Sequence, residues 1–89
     1  VYKIYGKQDC TACMVAKKIL TDANEDVEFV DVAIQQNKDT LLSIIPGVKS
    51  VPQIFLDNYY IGGLPELNER LKSVNETRAG AEIKVQLNG

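Results

Sequence analysis

The sequence predicts an α/β fold in a single domain, a small mixed β-sheet covered by helices. Three observations predict it. Apolar residues switch repeatedly between the two-residue period of strands and the 3.6-residue period of helices. Turn-forming pairs, Pro46-Gly47, Asp57-Asn58 and Gly62-Gly63, separate those stretches. A chain of 89 residues has room for one core, at a size where only about 60% of the unfolded surface is buried, so one sheet with helices packed on it is a compact solution.

Val1 to Tyr5 alternates as a strand does, and from Thr11 the apolar spacing becomes helical, with Val15, Ile19 and Ala23 on one row and Ala16 and Leu20 beside it. Val27 to Val32 is rich in β-branched and aromatic residues and fits a second strand, parallel to the first because a helix crosses between them. Such a βαβ unit is right-handed. Lys38 to Ile45 carries Leu41, Leu42, Ile44 and Ile45 and stops at Pro46-Gly47, which predicts a short second helix. Gln53 to Leu56 and Tyr59 to Ile61 flank Asp57-Asn58 and predict an antiparallel hairpin, since Asp and Asn tolerate tight turns. Pro65 stands where a first helical position belongs, and Leu67, Leu71 and Val74 continue at helical spacing as a third helix. Beyond it, Ile83, Val85 and Leu87 alternate with Lys84 and Gln86, the pattern of a further strand that would add to a sheet edge.

The formal net charge is −2 and no basic run offsets it, which argues against a nucleic-acid or anionic-membrane role. No apolar stretch is long enough to span a bilayer as a helix and no signal-peptide pattern stands at the start, so the expectation is a cytoplasmic protein without membrane partners.

The chemistry concentrates at Cys10 and Cys13, the only thiols, placed between the first strand and the first helix. A bridge between them closes too small a loop to constrain the unfolded chain much, so its value lies in being made and broken. A structural zinc site normally needs four ligands, and the chain has no histidine and no third cysteine. A C-x-x-C at a strand-to-helix junction reads instead as a thioredoxin-like redox pair. Thiolate is the attacking form, and a helix N-terminus favours it by about 0.3–2 kcal/mol. Asp9, next to Cys10, pulls the other way. Cys10, at the helix terminus, is the expected nucleophile, and Cys13, one turn inside, the resolving thiol.

The chain resembles the glutaredoxins over roughly Val1 to Val74, on Lys7, Cys10-Thr11-Ala12-Cys13, Ser50-Val51-Pro52-Gln53-Ile54-Phe55 and Ile61-Gly62-Gly63. The resemblance implies a thioredoxin-like (glutaredoxin) fold, a four-stranded mixed sheet with three helices over residues 1–75, followed by an extension at 76–89. It also implies a dithiol glutaredoxin that reduces protein disulfides and glutathione mixed disulfides. Glutathione is then the electron donor and co-substrate, with no tightly bound cofactor. Expected partners are glutathione and disulfide-containing proteins, ribonucleotide reductase among them, and the expected state is a monomer.

In this resemblance Lys7 is the nearby cation that favours the Cys10 thiolate, by only about 0.6 kcal/mol at about 7 Å in water-like dielectric, and it also meets a glutathione carboxylate. Thr11 and Ala12 lie between the thiols, where many glutaredoxins have proline and tyrosine. Val51 precedes a cis Pro52 and offers backbone groups to the extended ligand, with Lys49 and Ser50 on the same wall, where Lys49 matches a basic position of several glutaredoxins and meets the glycine carboxylate. Gly62, Gly63 and Leu64 bring backbone to the γ-glutamyl carboxylate at a helix N-terminus. Pro65 departs from the family pattern, since it lacks both an N–H and a polar side chain, and only Glu66 remains to substitute. Losing one charged hydrogen bond, about 1.5–3 kcal/mol, would weaken glutathione binding more than about tenfold. Two alternatives follow: a glutaredoxin-shaped redoxin reduced by a thioredoxin reductase, and a module that shares an iron–sulfur cluster between two chains.

Overall fold

The computed structural model describes residues 1–72. The expected tail strand therefore lies outside the described residues. The elements run β1 (Tyr2–Gly6), α1 (Thr11–Asp22), β2 (Val27–Asp31), α2 (Gln35–Ile44), β3 (Gln53–Leu56) and β4 (Tyr59–Gly62), and a third helix, α3, occupies 64–72.

The sheet order is β2-β1-β3-β4, with β1 parallel to β2 and antiparallel to β3, and β3 antiparallel to β4. The four-stranded mixed sheet with three helices is thus present. Alternation along β1 sends its side chains to two cores. Tyr2 and Ile4 join Ala16 and Leu20 of α1, Ile54 of β3 and Leu67 of α3. Tyr5 instead joins Phe55, Val32 and Leu41 of α2 on the opposite face. Helices α1 and α3 therefore cover one face and α2 the other. The exposed loop from Lys7 to Asp9 joins the end of β1 to the start of α1, where Cys10 stands half-buried and Cys13 buried.

Three details depart from the periodicity. The buried row of α1 is Cys13, Ala16 and Leu20, whereas Val15 is 39% exposed and Ile19 is half-buried. Cys13, counted as chemistry, also acts as a core residue. Helix α2 begins at Gln35 rather than Lys38, because Gln35, Gln36 and Asn37 supply a polar first turn that apolar spacing does not mark. The side-chain amide of Asn37 donates to the Asp31 carbonyl at 3.0 Å and fastens that turn to β2. In α3, Leu64 is the first helical residue and Pro65 the second. Gly63 is the cap, since its carbonyl accepts the Leu67 N–H at 3.1 Å. No backbone bond is lost at Pro65, because the first N–H groups of any helix lack an intrahelical partner.

Candidate active site

The loop from Lys7 to Cys10 turns the chain from the sheet into α1, with the Cys10 N–H bonded to the Lys7 carbonyl at 3.3 Å. Cys10 is the N-cap of α1 in extended conformation. Its sulfur accepts the Cys13 backbone N–H at 3.2 Å, the position at which capping residues normally place an oxygen. This N–H and the first turn of α1 point at the sulfur of Cys10. The protonated thiol lies 3.8 Å from the Val51 carbonyl, to which it donates.

The two thiols differ in surroundings. Cys10 is half-buried and reachable, whereas Cys13 is fully buried. Burial, followed by the hydrogen bond with Cys10, pushes the Cys13 thiol up to about 11, against a smaller lowering from the Lys7 backbone. Cys13 packs on Gly6, where an added Cβ would stand 2.8 Å from its sulfur, 3.0 Å from its Cβ and 3.2 Å from Phe29. The glycine at the end of β1 is what lets the second thiol lie against the sheet. No periodicity points to Gly6, since its role arises only when α1 is laid on β1.

The Val51-Pro52 peptide bond is cis, with Pro52 buried and Val51 half-buried beside Cys10. The segment is held by Gln53, a buried polar residue with 7% exposure. Its amide nitrogen donates to the Ser50 carbonyl at 2.9 Å and lies 3.4 Å from the Ser50 hydroxyl, while its oxygen accepts the Tyr60 hydroxyl at 2.6 Å. Gln53 thus ties the Ser50–Pro52 turn to β4. Its strand position hides this role in the sequence.

The glycine pair leads into α3 beside Pro52, with a Cβ at Gly63 reaching 3.4 Å from the Pro52 carbonyl. Gly62 has φ 125°, open to glycine at little cost, and an added Cβ there would strike Glu66 at 2.7–2.9 Å. The space is used by the Glu66 side chain, which folds back and accepts the Gly63 N–H at 2.8 Å. This is half of a capping box, in which the third helical residue caps the cap. At the start of α3, one N–H is therefore taken by the chain's own carboxylate, and Pro65 has none.

Cys10 stands against Val51 and Gly63 against Pro52, while Gly62 packs on Glu66 and half-buried Leu64 on the core beneath α1 and α3; Thr11 is exposed and Ala12 half-buried at the tip between the thiols. Lys7, Lys49 and Ser50 line an adjoining cleft of about 880 Å³ between the cysteine loop and α2.

Residues 3–61 match the glutaredoxin family. The chain is 36% identical over 66 residues to glutaredoxin 1 of Rickettsia felis, covering 72% of this chain and 65% of that protein. It is 30% identical over 93 residues to glutaredoxin 1 of Rickettsia typhi, covering 97% and 89%. Among solved structures, glutaredoxin 1 from Francisella tularensis, complexed with cacodylate, superposes with a TM-score of 0.69 at 24% identity, covering 84% of this chain and 95% of that one. By sequence over most of its length, and with a fold to match, the chain belongs to the glutaredoxin family.

Proposed function

We propose that the protein is a dithiol thiol-disulfide oxidoreductase that reduces protein disulfides and glutathione mixed disulfides with glutathione as electron donor. The observation that carries this reading is the Cys13 N–H donated to the sulfur of a reachable Cys10, with Cys13 itself buried one turn behind.

The Cys10 thiolate attacks one sulfur of a disulfide, whose S–S bond breaks as the Cys10 mixed disulfide forms, and the departing thiolate takes up a proton. In that intermediate Cys10 no longer carries charge, so one cause of the raised Cys13 value disappears and Cys13 loses its proton more readily. The Cys13 thiolate then attacks Cys10, releases the second substrate thiol and leaves a Cys10–Cys13 disulfide. Two glutathione thiols return this disulfide to the dithiol and leave as oxidised glutathione. For a glutathione mixed disulfide, a second glutathione can instead displace the first from Cys10, and Cys13 is not needed.

Lys7 supports one end of glutathione, Val51 backbone the middle, and the start of α3 the γ-glutamyl end. Glu66 and Pro65 leave that last subsite with two N–H donors, those of Leu64 and Glu66, and place a carboxylate beside them. The same observation favours a second reading, in which a thioredoxin reductase is the donor. The discriminating experiment couples reduction of a glutathionylated substrate either to glutathione with glutathione reductase or to thioredoxin reductase. Turnover with glutathione supports the first reading, and turnover with thioredoxin reductase alone replaces it by the second.

A further inference from the structure

The partner of the buried Gln53 oxygen decides which way that amide points. The Ser50 carbonyl can only accept, so the Gln53 nitrogen must face it, at 2.9 Å, with the Ser50 hydroxyl at 3.4 Å. The Gln53 oxygen then needs a donor, and the Tyr60 hydroxyl supplies it at 2.6 Å. Strand geometry brings Tyr60 there. Gln53 and Phe55 share one face of β3, and Tyr60 of β4 pairs with Phe55, past the register shift between Ile54 and Phe55. The Tyr60 ring lies 5.2 Å from that of Phe55, which in turn meets Tyr5 edge-on at 5.7 Å. Phe55 and Tyr5 are buried, whereas Tyr60 is 48% exposed, so its ring adds little to the core. What Tyr60 contributes is a donor steadied by two buried rings. With phenylalanine at position 60 the ring contact would remain, but the Gln53 oxygen would lose this donor. A buried amide left with an unmet oxygen turns to recover a partner, and its nitrogen then no longer holds Ser50. The residue after Ser50 is Val51, whose carbonyl lies 3.8 Å from the Cys10 sulfur.

We propose that Tyr60 is a positioning residue for the reaction at Cys10. By donating to Gln53 it fixes the amide that holds Ser50, and through Ser50 it sets the Val51 backbone against the nucleophile. Tyr60 touches neither thiol. Its effect passes through Gln53 and falls on the binding of a disulfide whose chain pairs with Val51, not on the reactivity of the Cys10 sulfur. The inference rests on the redox reading of Cys10 and adds to it a residue of β4.

The test uses the full chain, reduced beforehand, in single turnovers with rising concentrations of a glutathionylated peptide. Acid quenching and mass spectrometry follow the peptide thiol released. Tyr60→Phe is expected to raise the half-saturating concentration about three- to tenfold and to leave the limiting rate within about twofold, since a backbone wall binds ground and transition states alike. In a Gln53→Met background, which already lacks the amide, Tyr60→Phe should change that concentration by less than about 1.5-fold. Iodoacetamide, which needs the thiolate but no backbone partner, should label Cys10 at rates within about twofold in the parent and Tyr60→Phe. A half-saturating concentration that Tyr60→Phe leaves unchanged, even with a lower urea midpoint, overturns the assignment while the redox reading stands. So does an equal rise in the Gln53→Met background, or a matching loss with iodoacetamide. A parent protein that leaves the glutathionylated peptide intact removes the redox reading and the inference with it.

Discussion

Replacing Gly6 by alanine probes the contact that seats the second thiol. The backbone at Gly6 has no positive φ, so alanine meets no conformational penalty there, and the cost is steric. The new methyl would stand 2.8 Å from the Cys13 sulfur and 3.2 Å from Phe29, against an ordinary contact of about 3.4–4 Å. Cys13 is fully enclosed and cannot swing into solvent. Overpacking of this kind costs about 1–3 kcal/mol, and the stiffer unfolded chain returns about 0.4–1 kcal/mol. The net expectation is a loss of about 1–2 kcal/mol, or a melting temperature lower by about 4–16 °C for a domain of this size. Urea denaturation of the reduced protein measures it, repeated in a Cys13→Ala background where the sulfur is gone. There the Gly6→Ala cost should fall by at least about 0.5 kcal/mol, since residues in contact do not add. Gly6→Ala as stable as the parent, or an equal loss in both backgrounds, would refute the seating of Cys13 on Gly6.

Cys10→Ser is expected to abolish reduction of every disulfide, whereas Cys13→Ser spares turnover of glutathione mixed disulfides and loses that of protein disulfides, as read in parallel coupled assays. The raised Cys13 value means that the folded state holds this proton to higher pH than the unfolded chain does. Stability of the reduced protein should therefore fall as pH climbs from about 9 towards 11, by up to roughly 2–3 kcal/mol; Cys13→Ser should lack that part of the decline in urea titrations. Iodoacetamide near pH 8 should label Cys10 and leave Cys13 unmodified, as peptide mapping would show. Glu66→Gln removes the carboxylate at the start of α3 while keeping an acceptor for the Gly63 N–H, and should lower KM for glutathione by about two- to fivefold, from about 0.3–1 kcal/mol of relieved repulsion.

What the sequence shows depends on whether a feature is local. The strand at Tyr2–Gly6, the helix from Thr11 and the hairpin about Asp57-Asn58 follow from period and turn chemistry, and the βαβ crossover then sets the parallel pairing of β1 with β2. The C-x-x-C spacing alone places one thiol at the cap and the other a turn inside. Contacts between elements leave no such trace. Val15 looks as apolar as Leu20, and only the packing of α1 on the sheet decides that Cys13 takes the inner row. Gly6 and Gln53 act across β1–α1 and β3–β4 contacts, and a strand pattern registers neither. Glu66 is visible as an acidic residue after Gly62-Gly63. That it folds back onto the Gly63 N–H depends on the space at Gly62.

The most direct test of Cys10 as the glutathione-reactive nucleophile is mass spectrometry of the Cys13→Ser variant incubated with oxidised glutathione. The prediction is a single glutathione joined to Cys10, released by added reduced glutathione. An unmodified Cys10, with a glutathione adduct forming on Cys13 when Cys10→Ser is treated in the same way, would contradict it.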